Sequence, residues 1–67
     1  MGSEQALTPT QRRVLALVAQ GLTNRRIADL LGVGVRTVEN HRAHICKRLD
    51  LRGPNALLIY ALQAQQR

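Results

Sequence analysis

The stretch from Arg36 to Lys47 places Arg36, Asn40, Ala43 and Lys47 on one side of a helical wheel, with Glu39 and His44 flanking them. Those side chains match the chemistry of nucleic-acid base edges. An arginine donates two bonds to guanine, an asparagine pairs with adenine, and a small alanine lets a helix approach and meets a thymine methyl. Glu39 either accepts from cytosine or only repels phosphate. A face that is merely solvated mixes Glu and Lys as pairs four residues apart, whereas Glu39 is the acidic residue here. Thr23, Arg25, Thr37, Arg42, Lys47 and Arg48 are the candidate phosphate contacts, which position a helix without specifying sequence. Free N–H groups at helix starts after Thr23 and Gly34 can hold phosphate oxygens as well. Thr23 has a competing role as a helix cap.

Four helices must position these groups. Thr8-Pro9-Thr10-Gln11 reads as a capping box with proline at the first helical position. Val14, Leu15, Leu17 and Val18 continue the apolar face, and Gly21 stops a first helix over about 9–20. Thr23 caps a short second helix that Gly32 ends, and a third helix runs from near Val35 to Leu49 or Asp50 with Gly34 as its cap. Ile45 and Leu49 fall within roughly 20° of Val38 on its wheel, and the three mark the core face. Gly53-Pro54 starts a fourth helix over about 54–65. Ala28 is small where two helices cross, Gly32 suits the tight turn, and Ile27, Leu31, Val33 and Val38 would lock the pair at a steep angle. That is the logic of a helix-turn-helix, and an ordinary αα-corner is the blander alternative. The expected fold class is all-α, a four-helix (tetrahelical) helix-turn-helix domain.

Composition narrows the function. With 67 residues there is room for one domain and a small core, which excludes a large enzyme cleft. Ten Lys and Arg against four Asp and Glu give a net charge of +6, the balance usual for a domain that faces a polyanion, with a generic solubilising surface charge as the blander alternative. The excess lies mid-chain, where Arg25, Arg26, Arg36, Arg42, Lys47, Arg48 and Arg52 are opposed by Asp29, Glu39 and Asp50. Tyr60 is the single aromatic residue, so stacking platforms for single strands are missing. The single Cys46 excludes an internal disulfide and reads as a small, partly buried apolar residue. His41 and His44 lack the further ligands a metal site needs, and His41 suits packing or a phosphate contact. No catalytic pair, cofactor motif or membrane span is expected. A reducing, cytoplasmic setting is the default. Residues 1–6 are expected to be a disordered N-terminal segment or expression-vector residue, and 7–67 the domain.

From Leu7 to Leu62 the chain resembles the DNA-binding domain of LuxR-type regulators of the NarL/FixJ class. The resemblance rests on Leu7-Thr8-Pro9, Val14-Leu15, Gly21-Leu22-Thr23-Asn24, Ile27-Ala28, Leu31-Gly32, Thr37-Val38, His41, Ile45 and Leu49. It implies a third helix that enters the major groove, with Arg36, Glu39, Asn40 and Ala43 facing bases, and a fourth helix that dimerises. Gly34 and Gln11 stand where the family often has Ser and Glu, and Pro54-Asn55 where Arg and Thr are common. Glu39 and Ala43 replace residues that are often basic, so the resemblance does not carry a base preference over to this chain.

The fourth helix is apolar from Ala56 to Leu62. If Leu57 and Ala61 face the core, then Leu58, Ile59 and Leu62 stay exposed as a partner surface; the alternative is a more deeply buried helix. The expected partner is a double-stranded, pseudo-palindromic DNA site bound by a homodimer, formed either free or only on DNA. An RNA polymerase contact is open, and a sigma-factor region 4-like domain or a protein-interaction helical module are the alternatives. As the output domain of a response-regulator-type transcription regulator, it requires no cofactor.

Overall fold

The computed structural model describes residues 6–65. The expectation for the N-terminal segment falls outside the described residues except at Ala6, which is exposed. Four helices follow in order, α1 (Pro9–Ala19), α2 (Asn24–Leu31), α3 (Val35–Arg48) and α4 (Ala56–Gln65), and no strand occurs among the described residues.

Each helix starts and stops for local reasons. The Thr8 hydroxyl accepts from the Gln11 N–H at 3.1 Å, and the Gln11 side chain accepts from the Thr8 N–H at 3.0 Å, closing the capping box before α1. The Thr23 hydroxyl accepts from the Arg26 N–H at 3.1 Å and caps α2. Gly34 caps α3 with no side-chain bond. The first three helices end in one arrangement. Leu22, Val33 and Leu51 donate back to Leu17, Ala28 and Cys46, and the residue before each donor has a positive φ. This Schellman closure satisfies carbonyls that the helix end leaves open. At the first two ends the left-handed residue is Gly21 or Gly32; at the third it is Asp50, with φ 55°.

Two expectations need correction. The fourth helix begins at Ala56, not at Pro54. The Ala56 N–H donates to the Gly53 carbonyl, and the Ile59 N–H to the Asn55 carbonyl. Pro54 therefore occupies the second position of a turn, where its fixed φ is equally suitable, and Asn55 supplies the first helical acceptor. Val33 does not lock α2 to α3 through its side chain, which is 40% exposed. It follows the left-handed Gly32, and its backbone N–H closes the α2 end while its side chain stays at the surface.

The core gathers one face of each helix. Val14, Ile27, Val38 and Ile45 are the largest fully buried side chains, joined by Leu15, Val18, Leu49, Leu57 and Ala61. Leu7, just before the first cap, is buried with them. The α1 helix packs on both α4 and α3, and α2 packs on α3. Ala28 is buried on α2, where a larger side chain would hold α3 away. No charged or polar residue is buried among the described residues, so the outer faces carry all of the charge.

Candidate nucleic-acid interface

The wheel of α3 is realised in three dimensions. Val38 and Ile45 are fully buried and Leu49 nearly so, which fixes the rotation of the helix. Arg36, Glu39, Asn40, Ala43, His44 and Lys47 are consequently all exposed. The helix thus presents a stripe of donors and acceptors with the small Ala43 in its middle, and its packing on α1 and α2 lies behind that stripe.

The charge around the stripe is largely uncompensated. Among the described residues one ion pair occurs, between the exposed Arg52 and Asp50 at 3.5 Å. Such an exposed pair contributes little to stability. The first turns of the helices hold no acidic residue. Arg25 and Arg26 stand instead in the first turn of α2 and Arg36 in that of α3, where the helix dipole favours anions over cations. The positive ends of α2 and α3 and these arginines form a local excess that an external anion would relieve.

The candidate phosphate residues are not all brought together. Thr23, Arg25, Thr37, Lys47 and Arg48 are exposed. The Thr23 oxygen accepts the α2 cap bond, and its hydroxyl hydrogen remains a donor for an outside oxygen. Lys47 and Arg48 line a shallow groove with His44 of α3 and Gln11 of α1. Arg42 lies apart. It is half-buried and lines a hollow with Val18, Gly21, Leu22, Pro54, Asn55 and Leu58, between α1 and the start of α4. Its wheel position is about 40° from Val38, toward the core rather than the exposed stripe. Gln11 was missed by sequence reasoning, because only tertiary packing carries α1 to the side of α3; the wheel had already placed His44 beside the stripe.

On α4, Leu57 and Ala61 are buried, whereas Leu58, Ile59 and Leu62 are 36%, 53% and 42% exposed. Leu58 borders the Arg42 hollow, and Ile59 borders a second one formed with Asp50–Ala56, Tyr60 and Gln63. Cys46 is a free, half-buried thiol and His41 is half-buried. Among the described residues no cluster of His, Cys, Asp and Glu is placed to hold a metal ion, and no helix is long and apolar enough to cross a membrane.

Short helices, a glycine turn between α2 and α3, and an exposed, cationic α3 define a helix-turn-helix domain. Residues 5–61 match the family of bacterial regulatory proteins of the luxR family, and the chain belongs to it. The family is a class of DNA-binding regulators rather than of enzymes. The chain is 47% identical over 46 residues to the tetrathionate response regulatory protein TtrR of Salmonella typhimurium, covering 69% of this chain and 22% of that protein. It is 42% identical over 57 residues to the oxygen regulatory protein NreC of Staphylococcus haemolyticus, covering 85% and 26%. With the uncharacterized response regulatory protein YgeK of Escherichia coli the identity is 39% over 61 residues, covering 91% and 42%. The chain therefore spans less than half the length of these relatives.

Proposed function

We propose that this domain binds double-stranded DNA sequence-specifically by inserting α3 into the major groove, as the output domain of a response-regulator-type transcription regulator in the cytoplasm. Arg36, Glu39, Asn40 and Ala43 read base edges there. Thr23, Arg25, Thr37, Lys47 and Arg48 hold phosphates on either side, with Arg42 an outlying contact. Leu58, Ile59 and Leu62 join two copies through α4, so that the site is pseudo-palindromic. The observation that carries the reading is the rotation of α3, whose buried Val38 and Ile45 leave its polar stripe outward. The likeness to two proteins named as response regulatory proteins supports the regulatory assignment.

Groove choice is testable by chemical interference. Methylation of guanine N7 places a methyl group in the major groove, and that of adenine N3 places one in the minor groove. Guanine methylation within a bound half-site is expected to block binding, and adenine methylation within the same half-site to leave it intact. The opposite pattern would remove α3 from the major groove.

A further inference from the structure

We propose, building on α3 as the reading helix, that Glu39 selects cytosine at one position of each half-site and rejects the other bases. Glu39 is an exposed carboxylate, and the only acidic side chain, on a face it shares with Arg36, Asn40, Ala43 and Lys47. Its neighbours three residues away are Arg36 and Arg42, and neither forms an ion pair with it among the described residues. The residues four away, Val35 and Ala43, carry no charge. The carboxylate is thus not engaged in the helix-surface pairing that ordinarily accounts for a glutamate at such a place.

An unpaired carboxylate facing a polyanion weakens general attraction, so its benefit lies in discrimination. An ionised carboxylate only accepts hydrogen bonds. On the major-groove edge, guanine offers the acceptors O6 and N7 and thymine the acceptor O4, so both repel it. Adenine offers an amino donor beside the N7 acceptor, and cytosine offers an amino donor with no acceptor beside it. Cytosine is therefore the one base whose edge satisfies Glu39 without opposing a lone pair. Arg36, one turn earlier and a donor only, has the complementary preference for guanine.

The test is selection from random double-stranded DNA with the wild-type chain and with Glu39→Ala and Glu39→Gln. The exposed position predicts that all three keep the same helical circular dichroism. Wild-type protein is expected to enrich a motif with a cytosine position in each half-site, where any other base weakens binding about tenfold. Glu39→Ala flattens that position and leaves the others. Glu39→Gln moves it to adenine, which an amide pairs with twice. An unchanged motif for Glu39→Ala, with affinity raised equally for all duplexes, overturns the proposal, because the carboxylate then only repels phosphate. An adenine at the affected position of the wild-type motif overturns it too. A wild-type pool bound without any enriched motif overturns the sequence-specific reading beneath it, a result distinct from the other two.

Discussion

Asn40 and Lys47 lie on the same exposed stripe of α3 but act on different parts of a duplex in this account. An asparagine specifies through paired bonds to adenine, so Asn40→Ala is expected to lose about 1–3 kcal/mol on the preferred site and to relax preference at one base pair. Binding measured across single-base variants of the site checks this; equal affinity and unchanged preference would displace Asn40 from the reading set. A lysine on phosphate attracts every sequence alike. Lys47→Ala should weaken all duplexes similarly and lower the slope of log affinity against log salt by about one unit. Arg42→Ala should change that slope less, because Arg42 lies in the hollow between α1 and α4. A titration in which Arg42→Ala flattens the slope as much as Lys47→Ala would return it to the phosphate band. The stripe was legible in the sequence because Val38, Ile45 and Leu49 share one helical phase. The same wheel already set Arg42 near the core side, and its charge obscured that signal.

Helix boundaries follow from a few short-range rules, and their success varies with residue type. The cap of α1 was legible because Thr8, Pro9 and Gln11 agree. The turn between α2 and α3 was legible because Gly32 adopts a φ of 70° that other residues avoid. The end of α3, expected at Leu49 or Asp50, falls at Arg48 with Leu49 as its cap; the left-handed position after it is Asp50, without the glycine that usually announces it. The start of α4 was not legible, because proline suits a turn and a first helical turn equally. The α3 start offers a stability test. Gly34 has φ −79° and ψ 158°, ordinary for a capping serine, and an added Cβ meets nothing within 4 Å. Gly34→Ser should add a cap bond and reduce unfolded-chain entropy, stabilising by about 0.5–1 kcal/mol. Thermal melting would show a rise of a few degrees; a fall would mean that the first turn needs glycine for another reason. In the core, Ile27→Ala should cost about 2–5 kcal/mol, a large share of a small domain's stability, and denaturant titration reads it directly.

The whole molecule combines a net charge of +6 with an apolar patch on α4 remote in type from the cationic α3. In the proposed reading, attraction to DNA and attraction between copies come from different surfaces and should separate by mutation. Leu58→Glu would place an unpaired carboxylate in the proposed seam. It is expected to yield monomers by sedimentation on DNA while keeping the helical fold, since Leu58 is partly exposed in the single chain. An intact dimer would move the interface off α4. That surface was legible from the unbroken apolar run, because a helix on a small domain buries only one stripe. Which side remained outward depended on Leu57 and Ala61 packing against the other helices, which only the fold shows.

In the proposed function two copies read DNA through their third helices. Selection from random double-stranded DNA, followed by sequencing of the retained pool, tests it most directly. A two-fold pair of reading helices should enrich an inverted repeat whose half-site centres stand about one helical turn apart or a multiple of it. A pool retained at low salt with no enriched sequence would contradict it, leaving an attraction to phosphate alone.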